Sequence, residues 1–169
     1  MNNIIFIIAQ IIGFVAFLIS LSAYHKNKKE KILSNMLLSN ILDLTHYLLL
    51  SAYSGCITKI LAICRNLFVM FKEKNKILSS NIFMYMFVVI YIIAAIYTYT
   101  NILSILPLVA AIIYTVAIWN GNETTLKKAA LVGYFLWLIY NALVFSISGV
   151  LSNLVSIISL FFAIKNSKK

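Results

Sequence analysis

HYLLLSAYSGCITK, residues 46–59, and YNALVFSISGVLSN, residues 140–153, stand 94 positions apart and carry Ser-Gly at the same place. In each, an apolar run reaches the small pair (Ser54-Gly55, Ser148-Gly149) and a second apolar run leaves it, as expected for two helices joined by a tight turn. Extended outward, the same offset aligns Gln10–Lys72 with Ser104–Asn166 without a gap and with 13 identities in 63 positions. Part of that agreement is shared Leu/Ile bias, but Ala16 also falls on Ala110. The chain therefore reads as two three-helix units, each with its tight turn between the second and third helices.

The composition says where those units sit. Of 169 residues, 63% are hydrophobic and only 11% charged, with a mean hydropathy of +0.98, too apolar for a water-soluble domain. Apolar stretches run over Ile4–Tyr24, Asn35–Tyr53, Cys56–Phe71, Ile82–Tyr99, Ile102–Trp119, Ala129–Phe145 and Val150–Ile164. The expected fold is an all-α membrane protein of seven transmembrane helices, several near the lower limit of length for a span. Continuous rather than alternating hydrophobicity excludes a β-barrel. The fourth helix links the units and restores the direction of the chain, so the repeat is parallel: residues 1–72, a linker helix in 73–100, and residues 101–169.

The net charge of +10 comes from cations between the apolar runs. Twelve of the fourteen (Lys26, Lys28, Lys29, Lys31, Lys72, Lys74, Lys76, Lys127, Lys128, Lys165, Lys168, Lys169) fall on one side of a seven-span chain. The positive-inside rule then places the N-terminus outside and the C-terminus in the cytoplasm, and the bilayer rather than nucleic acid is the expected partner. Met1–Ile5 has no basic stretch, so the first apolar run is expected to stay as a membrane helix. Cys56 and Cys64, eight positions apart within one apolar run, stand about 12 Å apart on a helix and cannot pair.

Gln10, Gly13 and Ala16, then His46, Tyr53 and Arg65, with Arg65 nineteen positions after His46, resemble the YgjV-type family of bacterial inner-membrane proteins over nearly the whole chain. The resemblance implies a bacterial inner (cytoplasmic) membrane location. The sequence departs from the family pattern at Ser51 and Cys56 (usually glycine), Ala62 (Asn) and Tyr140 (His). The last departure loses a symmetric histidine pair at positions 46 and 140. The 3+1+3 plan is also similar to that of SWEET sugar facilitators and PnuC vitamin-precursor transporters, in architecture alone. SWEET-like prolines are missing apart from Pro107, which falls opposite Gly13 in the repeat; each is expected to soften its opening helix.

Ionisable groups inside a bilayer are costly and therefore point to function. Asp43 and Arg65 each lie about ten residues inward from Ser54-Gly55 and are expected to pair across the hairpin. That pair either locks the first unit or forms one wall of a polar site. His46 and Asn40, one turn to either side of Asp43, extend it into a stripe. Gln10 is the expected partner of His46 if the histidine is structural. The second unit offers Trp137, the repeat equivalent of Asp43, and Asn141. Lys59, near the outer surface, is expected to snorkel. The tyrosines of the linker helix are expected to pack or to belt the interface.

The substrate-binding candidates are thus Asp43, His46, Arg65, Trp137, Asn141, Asn40 and Gln10. No nucleophile with a base, no phosphate loop and no cluster of metal ligands is apparent, with His25 isolated, so neither an enzyme nor a cofactor is expected. The reading is a small polar-solute transporter or facilitator working by alternating access, with self-association left open. A membrane scaffold or accessory protein with purely structural polar residues is the alternative. The two separate on whether Asp43, His46, Trp137 and Asn141 line one cavity.

Overall fold

The computed structural model describes residues 3–24, 29–72, 75, 78–121 and 123–166. These form seven α-helices and no strand: α1 (Asn3–Tyr24), α2 (Lys29–Leu49), α3 (Tyr53–Lys72), α4 (Asn81–Tyr97), α5 (Leu106–Asn120), α6 (Glu123–Leu143) and α7 (Ile147–Asn166), with a 3-10 turn at Ile102–Ile105 leading into α5. Three segments, Asn3–Ser22, Tyr53–Lys72 and Ile102–Asn120, are long and apolar enough to cross a membrane; Asn81–Tyr97 and Ile147–Phe162 are apolar but shorter.

Helices α2 and α6 begin six residues earlier than hydrophobicity suggests, at Lys29 rather than Asn35 and at Glu123 rather than Ala129. The opening residues of α2 (Lys29, Glu30, Lys31) and of α6 (Glu123 with Leu126, Lys127 and Lys128) include strong helix formers whose charge a hydropathy reading counts against a span. Pro107 does not soften α5. It sits in the first turn, where its missing N–H has no helical partner to lose, after the Asn101 side chain has accepted the N–H groups of Leu103 and Ser104. Of the orienting cations, Lys26, Lys28, Lys74, Lys76, Lys168 and Lys169 lie outside the described residues, with His25, as do the side chains of Lys29, Lys31 and Lys165.

The offset of 94 carries 29–49 onto 123–143 and 53–72 onto 147–166, so the second and third helices of the two units have identical bounds. It also carries Ser51 (φ 55°) onto Phe145 (φ 53°), the two non-glycine residues with positive φ among the described residues. Each ends a helix in the left-handed conformation, and the next N–H turns back: Ala52 to the Tyr47 carbonyl at 2.9 Å, Ser146 to the Asn141 carbonyl at 3.0 Å. Glycine would suit both positions better.

Within each unit consecutive helices pack together; between units, α1 packs on α7 and α3 on α5. Exchanging α1 with α5, α2 with α6 and α3 with α7 converts one seam into the other, the relation of a two-fold axis, and both hairpin turns lie at the same end. The linker helix α4 breaks this symmetry, since it packs on α3 and α5 and so covers one seam. There Leu33, Val69, Met84, Phe87, Tyr91, Leu108, Ile118 and Trp119 form the larger apolar core, with Phe68 against Phe83, Phe87 and Trp119. The remaining linker tyrosines, Tyr85, Tyr97 and Tyr99, are exposed. Ile4, Ile11, Ile82, Ile96 and Phe161 are also turned outward and more than half exposed, the apolar exterior of a chain whose solvent is lipid.

Candidate functional site

At the end of the molecule marked by the two hairpin turns, polar side chains cross between the units in matched fashion. His46 on α2 is fully buried, with Nδ1 2.7 Å from the Ala9 carbonyl and Nε2 2.7 Å from Ser146 Oγ. A carbonyl only accepts, so in the neutral ring Nδ1 carries the hydrogen and Nε2 accepts from the Ser146 hydroxyl. Ser146 is the residue before α7, and its Oγ accepts the Gly149 N–H. From the other unit Tyr140, the repeat equivalent of His46, brings its phenol oxygen to Ser54 Oγ (2.8 Å) and to the Gly55 N–H (3.0 Å).

Each second helix therefore clasps the start of the other unit's third helix, once with an imidazole and once with a phenol. Between the clasps Tyr47 donates to Asn141 Oδ1 at 2.8 Å, and these two residues are themselves related by the offset, so the contact lies close to the axis. Gln10 does not meet His46. Its Oε1 accepts from Ser148 N–H (2.9 Å) and Oγ (3.0 Å), tying α1 to α7. It joins the closure of the turn end and does not line the cavity below.

Beneath that closure lies one cavity of about 140 Å³. Asn40, Asp43, His46, Arg65, Trp137 and Asn141 all line it. Much of its wall comes in offset-related pairs: Met36 and Ala130, Ser39 and Gly133, Asn40 and Tyr134, Asp43 and Trp137, Tyr47 and Asn141, Lys59 and Asn153. The cavity thus surrounds the axis between the units, reaching from the clasps toward the lysine-rich end, where Ser20, Met36 and Ala130 border it.

The expected pairing of Asp43 with Arg65 is not what the chain forms. Asp43 Oδ2 binds Lys59 Nζ at 2.7 Å, and Lys59, far from snorkelling, turns inward over the indole of Trp137 at 4.7 Å. The reason is where the chain turns. Taken at Ser54-Gly55, the hairpin sets Arg65 opposite Asp43; α2 in fact ends at Leu49 and α3 starts at Tyr53, so the centre is residue 51, and Asp43 and Lys59 are each eight positions from it. Trp137 also stacks on Tyr47 with centroids 5.4 Å apart. Carboxylate, ammonium and indole thus meet at one level of the cavity.

Arg65 lies deeper. Its Nε and Nη2 donate to Asn66 Oδ1 (3.2 and 3.0 Å), Nη1 donates to Thr115 Oγ1 (3.1 Å) and the Ala111 carbonyl (3.5 Å), and the guanidinium lies 5.0 Å from the Tyr114 ring centre. Asn66, Tyr47 and Asn153 are among the lining residues that sequence reasoning passes over, and Lys59 is one that it places at the surface instead. Lys59 and Asn153 are accessible to it, as an offset pair equally deep in α3 and α7. Nothing in the pattern singles out Asn66. Cys56 and Cys64 are both free, the first buried beside Tyr47 and Tyr140 and the second exposed.

Residues 7–169 match the family model Imp-YgjV, described as a bacterial inner membrane protein. No curated protein and no solved structure matches the chain.

Proposed function

The chain belongs to the Imp-YgjV family of bacterial inner membrane proteins, and we propose that it crosses the membrane seven times in a SWEET-like arrangement and passes a small polar solute by alternating access between its two three-helix units. The observation that carries this reading is the cavity between the units, walled by offset-related residues from both and charged on one side, aromatic on the other. In the proposed cycle no covalent chemistry occurs. The clasps of His46 and Tyr140, with the Tyr47–Asn141 bond, close the turn end; rocking of the units breaks them and closes the opposite end.

At that opposite end the two seams differ. Tyr114 reaches Met36 Sδ at 3.1 Å across one, and Lys72 Nζ reaches the Trp119 carbonyl at 2.9 Å. The repeat equivalents of Tyr114 and Met36 are Ser20 and Ala130, both small, so the proposed path leaves the cavity beside them. The competing reading, a membrane scaffold, draws on the same dense hydrogen bonding between units, which would hold a static bundle equally well.

The orientation proposed is N-terminus outside and C-terminus cytoplasmic. Reporter fusions after Lys169 and within residues 72–76 are expected to report cytoplasm and one at Ser148 the outside; an outside C-terminus removes the arrangement.

Transport is tested with purified protein in vesicles, assayed for uptake of a small-solute panel with and without a proton gradient. Trp137→Ala removes the ring beneath Lys59 and one wall of the cavity, and uptake is expected to fall roughly tenfold or more, the equivalent of ~1.4 kcal/mol of lost contact. Undiminished uptake in both Trp137→Ala and His46→Ala, with normal folding, rejects the site.

A further inference from the structure

Within that cavity, positive charge and hydrogen-bond donors are left over on one side. Arg65 is 4% exposed and Asn66 fully buried. A buried guanidinium ordinarily has an anion beside it, because its desolvation is otherwise uncompensated. Here the hydrogen-bond partners of Arg65 are all neutral: the Asn66 amide oxygen, the Thr115 hydroxyl and the Ala111 carbonyl. Among the described side chains the one carboxylate is Asp43, and its Oδ2 is held by Lys59.

The donors can be counted. Arg65 has five N–H groups; Nε and Nη2 each give one to Asn66 Oδ1, and Nη1 gives one that is shared by Thr115 Oγ1 and the Ala111 carbonyl, whose oxygens are 2.6 Å apart, leaving one hydrogen on Nη1 and one on Nη2. A guanidinium cannot accept, so Asn66 must turn its oxygen toward Arg65, and its Nδ2 is thereby aimed elsewhere. That Nδ2 is buried and has no partner. The same holds for Nδ2 of Asn153, 5% exposed, on α7 of the other unit. Both asparagines line the cavity. Arg65 and its chain neighbour Asn66 therefore bring spare N–H donors, and a positive charge bonded to no anion, to one part of the cavity wall, while Asn153 lines the same cavity at the level of Lys59.

We infer that the cavity takes a small monocarboxylate, its carboxylate received by the free N–H groups of Arg65 and the unpartnered amide of Asn66. A carboxylate supplies two oxygens able to accept several N–H bonds and the single negative charge that balances the guanidinium. The size follows from the space: about 140 Å³ is close to the roughly 150 Å³ that accommodates benzene in an engineered apolar cavity. An aliphatic or single-ring acid fits, and a nucleotide or disaccharide does not. This assignment rests on the reading of the cavity as a solute site.

The test uses the full chain in lipid nanodiscs and two matched probe sets: acetate, acetamide and ethylamine; benzoate, benzamide and benzylamine. Thermal stability is followed against probe concentration. At least one carboxylate is expected to raise Tm in a saturable way while its amide and amine counterparts do not. Its apparent affinity is expected to fall roughly tenfold or more in Arg65→Gln, with part retained in Arg65→Lys, which keeps the charge, and a smaller loss in Asn66→Leu. A greater shift with the amides or amines overturns the anion assignment and leaves the solute site standing. An unchanged carboxylate shift in Arg65→Gln, or no shift with any of the six, also overturns it. The wider transport reading is decided separately by the uptake panel, which includes neutral and cationic solutes. If Arg65→Gln does not fold, the comparison of acid, amide and amine on the unaltered chain still decides.

Discussion

Lys59→Met is expected to lower stability by about 2 kcal/mol and Asp43→Asn by a similar amount, while the double variant recovers most of the loss. The physical basis is the 2.7 Å pair, with the side chains 15% and 21% exposed. It is dry enough that an orphaned charge is costly and wet enough, beside the cavity, to stay below the cost of a fully buried ion. Lys59 also donates toward Asn40 Oδ1 at 3.5 Å and lies over Trp137, so its loss removes more than one contact. Asp43→Asn combined with Arg65→Gln is expected to be additive within about 0.5 kcal/mol, since these two do not touch. Denaturation of the five variants, Arg65→Gln alone included, in a membrane mimetic gives both cycles. Coupling of Asp43 to Arg65 rather than to Lys59 would reverse the pairing described above.

Gly13→Val is expected to cost about 3 kcal/mol and to loosen the closure at the turn end. Gly13 lies where α1 crosses the partner unit. A Cβ there would collide with Ser148 Oγ and come within 2.9 Å of His46 Nδ1. Neither neighbour is free to yield, because Ser148 is bound to Gln10 and His46 is held at both nitrogens. Gly149 is similarly confined, since a Cβ at that position would stand 2.6 Å from Asn141 Cγ. Gly133 is the control: the nearest group to its Cβ would be Ala110 Cβ at 3.8 Å, so Gly133→Ala is expected to be neutral or stabilising by up to about 1 kcal/mol through helix propensity. Thermal denaturation separates the two, and a Gly13→Val protein as stable as Gly133→Ala would refute the close crossing.

Much of the architecture was legible because its signals are local or periodic. Uninterrupted apolar runs identify membrane-type helices without reference to their neighbours, and the gapless offset of 94 anticipates the identical bounds of α2 with α6 and of α3 with α7. The candidate site was partly legible for a different reason. Polar groups in lipid-facing helices must turn inward, so Asn40, Asp43, His46, Arg65, Trp137 and Asn141 converge on one cavity without knowledge of their partners. Gln10 obeys the same rule, yet ends in the seam between α1 and α7. Tyr140 reads in the sequence as a lost symmetric histidine; in the fold it performs the matching clasp, since a phenol reaches the opposite helix start as an imidazole does.

The sequence by itself determined the helices, the matching bounds of α2 with α6 and of α3 with α7, and the inward sense of many polar residues, because hydrophobicity, helix period and internal similarity are properties of the chain taken in order. Only the tertiary structure decided which residues are partners. In an antiparallel hairpin, moving the turn centre moves the partner by twice as much, so the shift from Ser54-Gly55 to Ser51 replaces Arg65 by Lys59 opposite Asp43, a displacement of about 9 Å along α3. That centre is set by a left-handed residue at 51 whose side chain does not announce it. Releasing Arg65 from Asp43 in turn leaves its charge beside the cavity with the Asn66 amide turned away from it. That outcome depends on how two units rotate against each other, which no stretch of either unit encodes alone.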